Sequence, residues 1–340
     1  LFSVLSGIYI NDAGFWLSRH LSVRPLWVKD TVFFGVSYAC FFLLLFPLEW
    51  WEDFWLERKH HLSVQSLIAW LTDCGKSFLV GGILLWGGTM ILYFLLRTAG
   101  AAWPFWAWCL YIVVQGLLTM AVPQLIVPLF YRYMPLPEGE MKQDLRTLIE
   151  KAKISIREIY LIDASAKTRK ANAFVCGLGK KRRLVLADSL LQQFTSEEIR
   201  AAVAHELTHM RHRDTLLLYA IQTVVSFVFF FIVGKVAYAI FKAEMYALKD
   251  IGSLPFFALM ALMFQTAASP FFNALLRWIE RRTDQGAFAL LGDTRGFISL
   301  IEKLTRQNKA EISPAVWKER VFFSHPAPSR RIQYAQQWKL

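Results

Sequence analysis

Residues 77–97 read SFLVGGILLWGGTMILYFLLR, twenty uncharged residues before the closing Arg97. A helix rises about 1.5 Å per residue, so this one segment covers the roughly 30 Å of a bilayer's hydrocarbon core. Working outward, comparable blocks lie at 31–49 (TVFFGVSYACFFLLLFPLE), 103–131, 215–241 and 254–276, each with at least 17 mostly apolar residues. The whole 340-residue chain is 55% hydrophobic, 15% aromatic and 19% charged, which excludes a disordered chain and a water-soluble coiled coil. The sequence therefore predicts a mostly α, multi-span helical membrane protein.

Alternating five spans puts 50–76, 132–214 and 277–340 on one side of the membrane. That side holds 31 of the 38 Lys and Arg residues. The positive-inside rule makes it cytoplasmic, so the net charge of +12 marks a membrane face and not a nucleic-acid partner. The expected organisation is a membrane region over 1–131, an α+β segment over 132–214, two spans over 215–276 and a second cytoplasmic segment over 277–340. The opening LFSVLSGIYI is apolar but too short to span, and reads as the end of an earlier helix. Pro104, Pro123 and Pro128 predict a kinked or broken helix within 103–131 and not two separate spans. Cys40, Cys74, Cys109 and Cys176 lack paired spacing, so they read as buried thiols without disulfides or a cysteine zinc site.

Within 132–214 the pattern predicts a helix from Glu138 to Ala152, a strand at 158–163 (EIYLID), and a hairpin of NAFVCGLG (172–179) and RLVLADSLL (183–191) around Lys180, Lys181, Arg182 and Arg183. The basic turn reads as solvated, with contact to anionic headgroups as its functional alternative. GLGK at 177–180 lacks the spacing of a phosphate loop. Thr195 and Glu198 have capping-box spacing and open a helix running through EIRAAVAHELTHMRHR. Inside it stands His205-Glu206-Leu207-Thr208-His209. Residues four apart share a helix face, so His205 and His209 can place imidazole nitrogens on one zinc ion, with Glu206 beside them to accept a proton from water.

A catalytic zinc commonly takes three protein ligands. His212 lies too far along the helix axis to share the site. In FFNALLRWIERRTDQGAFALLGD, Glu280 and Asp284 lie four apart on one face, and a His-His-Glu set with Asp284 behind a ligand histidine is chemically complete. Glu302, Glu311 and Glu319 compete with Glu280 on spacing alone. His325, before Pro326, reads on its own as a loop histidine; His20, His60 and His61 read as interfacial or solvated.

Together, HELTH at 205–209, Glu280 with Asp284, Asn172-Ala173-Phe174, His325-Pro326 followed by Arg331-Ile332, and PLFYRYMPLPEGEMK at 128–142 resemble the type I CaaX prenyl protease family of membrane zinc metalloproteases. That family also includes bacterial quality-control proteases, and the resemblance covers roughly 50–340. It implies one zinc per chain on His205, His209 and Glu280, with Glu206 as general base and Asp284 orienting a ligand histidine. It further implies that the strand Asn172, Ala173, Phe174 binds substrate, His325 stabilises the transition state and Arg331 supports the site from behind. Two departures stand out. Thr208 replaces the family's usual Gly, read as a change on the helix surface, and five spans with a stub replace the seven of eukaryotic members.

The expected activity is peptide-bond hydrolysis in an integral, multi-pass protein of a bacterial inner membrane, with its catalytic segments facing the cytoplasm. The expected partners are the bilayer and a peptide or protein substrate, either a prenylated CaaX protein or a damaged or stalled membrane protein. A non-catalytic membrane scaffold retaining the fold is the competing class. A site-2 type protease is disfavoured by the charged ends of the histidine helix, which would be costly at bilayer depth. A transporter has only the proline-broken third span in its favour.

Overall fold

The computed structural model describes residues 12–177, 179 and 182–339. The opening stub, Lys180 and Lys181 lie outside the described residues. Among the described residues, five helices are long and apolar enough to cross a membrane: Leu26–Lys59, Leu67–Thr98, Gly100–Phe130, Asp214–Phe241 and Ile251–Leu291. They match the five expected spans, and each runs past its apolar block at one or both ends.

The chain forms two compact units. The first comprises Leu1–Asp53, Ile68–Gly116 and Ala220–Ala267. Its inner face packs Phe33, Tyr93, Leu96, Trp103, Val233, Ala237 and Phe257. The opposite faces present Leu44, Ile83 and Val224 outward, as helices solvated by lipid do. Two acids here, Asp30 and Asp250, are paired with basic side chains. Asp30, buried in the first span, receives both Nη1 and Nη2 of Arg97 at 2.5 and 3.1 Å, and Arg97 Nε also donates to the Lys249 carbonyl at 3.1 Å. Asp250 accepts from Lys29 at 3.1 Å and from the Ser18 hydroxyl.

The third span is a single helical run, as the prolines predict. Its regular turns over Trp103–Ala121 give way to a π segment at Val122–Ile126 and resume at Val127–Phe130. Pro123 lies inside the π segment, because a residue without an N–H cannot close the regular ladder.

The second unit comprises Phe54–Leu67, Leu117–Tyr219 and Ala268–Leu340. It holds a four-stranded sheet of β1 (Tyr133–Pro135), β2 (Glu158–Ile162), β3 (Ala173–Cys176) and β4 (Arg183–Ala187), ordered β1-β2-β4-β3. β2 and β4 run parallel, and the other two pairings are antiparallel. β3 and β4 are the expected hairpin, and β3 is an edge strand. The short β1 escapes the sequence pattern because three residues carry too little periodicity to read.

RLVLADSLL does not continue as one strand. β4 stops at Ala187, and Asp188–Gln193 is a helix. Asp188 takes the backbone N–H groups of Ser165 at 2.7 Å and Ser189 at 2.8 Å, which holds the chain in its helical turn. Of the four thiols, all free, only Cys176 is buried; Cys40 is exposed and Cys74 and Cys109 are half-buried. The expectation of four buried thiols fails because an apolar residue of a span has two possible directions, and sequence hydrophobicity does not distinguish inward from lipid-facing.

The core of this unit is the helix α1 (Glu140–Ala152), the helix α2 (Ser196–His212) and the helix α3 (Arg295–Gln307) packed on the sheet. α1 contributes Leu145, Leu148 and Ile149; α2 contributes Ile199, Val203, Ala204 and Leu207. The capping box forms as expected: Thr195 Oγ1 accepts from Glu198 N at 3.3 Å, and Glu198 Oε2 accepts from Thr195 N at 2.8 Å. At its other end α2 closes on Arg213 in the left-handed region, φ 56°. The helix α4 (Leu254–Leu291) joins the fifth apolar block to the stretch bearing Glu280 and Asp284 without a break, passing through Pro270.

Candidate metal centre

α2 sets His205 and His209 one turn apart, with Nε2 atoms 3.2 Å from each other. α4 brings Glu280 against both: Oε2 lies 3.3 Å from His205 Nε2 and Oε1 lies 3.5 Å from His209 Nε2. These three residues form a group whose ligand atoms all lie within 4.8 Å of one another. Of the competing carboxylates, Glu302 and Glu311 are exposed, while Glu319 is buried against Ala327 N and Arg330. His212 is not part of the group.

Each ring nitrogen on the far side meets a carboxylate. His205 Nδ1 is 2.9 Å from Asp284, and His209 Nδ1 is 2.8 Å from Asp214. An ionised carboxylate only accepts, so when the rings are neutral both Nδ1 atoms carry the hydrogen and both Nε2 atoms present lone pairs. Two lone pairs 3.2 Å apart, facing a third anionic donor, repel unless a cation lies among them. Tetrahedral zinc with ligand bonds of about 2.0–2.1 Å separates its donors by about 3.4 Å, and the spacings here match that. Where no metal is bound, a proton is the cation that the same surroundings draw in. Burial favours the uncharged ring, yet hydrogen bonds to Asp284 and Glu280 outweigh it and raise His205 to about 10. His209 is raised too, burial being outweighed by Glu280 and Asp214. The donor set fits a divalent cation of zinc's preferences.

Glu206, next to His205, has its carboxyl pushed above the usual range by burial, against the pull of the two histidines. Arg331 clamps Asp284 with two bonds, Nε at 2.8 Å and Nη2 at 2.6 Å. His325 lies with Nδ1 2.9 Å from Glu280 Oε2, and its side chain is largely exposed. Asn172 and Ala173 share a cleft of about 170 Å³ with His205, Glu206, Phe297 and Arg331. Phe174, on the opposite side of the strand, packs with the smaller cluster of Ile162, Val185 and Ala187.

Thr208 is not on the helix surface. It is 2% exposed, and its Oγ1 donates to the Ala204 carbonyl at 2.8 Å. A Cβ on Gly286 of α4 would lie 2.4 Å from Thr208 Cγ2, so the glycine is what lets a threonine stand between the two helices. Sequence reasoning also missed Asp214, Arg282 and Thr283. The available signal was an acid opening the apolar block at 215–241, which needs partners if it is to be buried.

The chain matches the model of peptidase family M48 over residues 135–339, and that of the CAAX prenyl protease N-terminal region, five membrane helices, over residues 5–132. It is 26% identical to the uncharacterized metalloprotease YhfN of Bacillus subtilis (strain 168), covering 86% of this chain and 70% of that one. It is 25% identical to the CAAX prenyl protease 1 homolog of Mus musculus, covering 98% and 82%. The crystal structure of S. mikatae Ste24p superposes with a TM-score of 0.86 at 20% identity, over 97% of this chain and 81% of that one, which shows a shared fold. With residues 135–339 matched to one model and its first spans to the other, the chain belongs to peptidase family M48, as an integral membrane metalloprotease of the CAAX prenyl protease kind.

Proposed function

We propose that the protein is a zinc endopeptidase that cuts polypeptides at the cytoplasmic face of a bacterial inner membrane. The observation that carries this reading is the convergence of His205 Nε2, His209 Nε2 and the Glu280 carboxylate, with Glu206 one residue from the first ligand. Zinc held by His205, His209 and Glu280 would lower the pKa of a water molecule toward neutrality and polarise the scissile carbonyl. Glu206 accepts the proton of the attacking water and delivers it to the leaving amine; its raised carboxyl pKa suits it to both transfers. His325, with Nδ1 2.9 Å from Glu280 Oε2, stands at the edge of the site as the side chain to stabilise the developing oxyanion. Asp284, held by Arg331, keeps His205 in the tautomer that presents Nε2.

Substrate is held as an added strand. Among the described residues β3 pairs only with β4, so its outer edge offers main-chain groups to an extended peptide, and Asn172 and Ala173 share the cleft of His205 and Glu206. Main-chain pairing asks little of substrate side chains, so access governs cleavage more than sequence does. The substrates are then prenylated CaaX proteins, the class in the names of the mammalian relatives, or damaged and stalled membrane proteins.

The test is zinc content and cleavage of a farnesylated CaaX peptide and of an unfolded protein, comparing detergent-purified wild type with Glu206→Gln. Zinc in both proteins with cleavage by wild type alone is expected, and the substrate that is cut selects between the two classes. Absence of zinc from the wild type would overturn the metal site and bring the scaffold reading forward.

A further inference from the structure

The two histidines at the centre each rest on a carboxylate, but the two carboxylates arrive differently. Asp284 is on the same helix face as Glu280. Asp214 follows His209 by five residues, and in an unbroken helix that spacing would turn its side chain about 140° away from the histidine. The left-handed turn at Arg213, φ 56°, ends α2 and returns the chain, so that Asp214 meets the back of the His209 ring. Asp214 is 2% exposed, and three groups converge on it. His209 Nδ1 lies 2.8 Å and Thr283 Oγ1 3.2 Å from Oδ2, while the Arg282 guanidinium takes Oδ1.

We propose that Asp214 is a positioning residue for His209. By accepting the Nδ1 hydrogen it fixes the tautomer and ring plane in which Nε2 faces His205 and Glu280, and its charge raises the basicity of that nitrogen. Arg282 and Thr283, adjacent in the turn after Glu280, hold Asp214 in place, and Arg282 balances its buried charge. The site is thus braced twice: Asp284 with Arg331 behind His205, and Asp214 with Arg282 behind His209. Asp214 itself touches neither ion nor substrate. A purely structural role, pinning the start of the next span to α4 through Arg282, would need no contact with the ring.

This inference rests on the zinc reading above, and the experiment separates the two. Wild type, Asp214→Asn and Asp214→Ala are compared as full chains in detergent, by chelator-competition zinc affinity and by the visible absorption of the cobalt-substituted proteins. Thermal unfolding of the metal-free forms reports folding. Zinc affinity is expected to fall roughly 10–100-fold in Asp214→Ala and by about tenfold in Asp214→Asn, with a shifted cobalt spectrum in both. Should Asp214→Ala not fold, Asp214→Asn, equal in shape, carries the test. Wild-type affinity together with an unchanged cobalt spectrum in a folded variant would overturn the role of Asp214 while leaving the metal site standing. A wild type that binds no zinc overturns both.

Discussion

Gly286→Ala should disable the enzyme far more than it destabilises the fold. The added methyl would sit 2.4 Å from Thr208 Cγ2, 3.3 Å from His212 Cε1 and 3.5 Å from Thr208 Oγ1. Carbon atoms rest about 3.5–4.0 Å apart, so roughly 1 Å of separation has to be found. Thr208 cannot supply it, being buried with its hydroxyl held by the Ala204 carbonyl. Overpacking of this kind costs about 1–3 kcal/mol, and the gain from replacing glycine in a helix returns about 1 kcal/mol. The net loss of stability is therefore small, about 1 kcal/mol. The geometric cost is larger, because α2 and α4 must part where one carries the histidines and the other Glu280. A displacement near 1 Å at reacting groups costs about 100-fold in rate. The assay is kcat/KM on whichever substrate is cut, beside the apparent Tm in detergent. Activity about 100-fold lower with Tm down by a few degrees is expected. The double variant with Thr208→Ala, which removes the obstructing methyl, should recover most of the loss relative to Thr208→Ala alone. Wild-type activity in Gly286→Ala, or no recovery in the double variant, would refute the reasoning.

Three further outcomes follow from the geometry. Asp30→Ala leaves Arg97 without its buried partner and should cost about 3–5 kcal/mol, whereas the double variant Asp30→Leu, Arg97→Met should recover most of the loss in apparent Tm. Chelation should lower the apparent Tm, with recovery on adding zinc back, since an ion that binds only the folded site stabilises it by mass action. Glu198 gives the pH dependence: burial acts to raise its carboxyl, but Ser299, Thr195 N–H and Lys303 outweigh it and hold it below its ordinary 4.5. A lowered folded pKa contributes stability that is complete above that ordinary value and is lost as pH falls through the folded one. Glu198→Gln should accordingly be less stable than wild type at pH 7, with the gap closing in acid; a gap that stays constant down to pH 3 would contradict this.

What the sequence made legible is what one helix or one strand conveys by itself. The spans could be read because twenty apolar residues have few other uses. The triad His205, Glu206 and His209, like Glu280 with Asp284, is a statement about one face of one helix, and so is the Thr195–Glu198 cap. Even there the resemblance to a family was needed to choose Glu280 over Glu302, Glu311 and Glu319, because nothing local says which helix comes to lie opposite the histidines.

The misses share a physical cause, which is dependence on what the opposite face meets. Thr208 looked like a surface residue because it is polar and sits between two site positions. It is buried because α4 offers a glycine at the crossing, a fact stored 78 positions away in Gly286. Asp214 falls on the wrong side of α2 by helical periodicity; a single left-handed residue, Arg213, reverses that. Asp188 looked like part of a strand because its neighbours are apolar, and it ends the strand because Ser165, from another loop, brings it an N–H. In each case the residue type was informative and its partner was not. A polar side chain in an apolar setting announces that it must be satisfied, so Thr208, Asp214 and Asp188 were detectable as unpaid obligations before their partners could be named. The same accounting explains why the second brace of the metal site is the part that needed coordinates: an acid at the head of a span demands a partner, but only the fold shows that one of its partners is a zinc-ligand candidate.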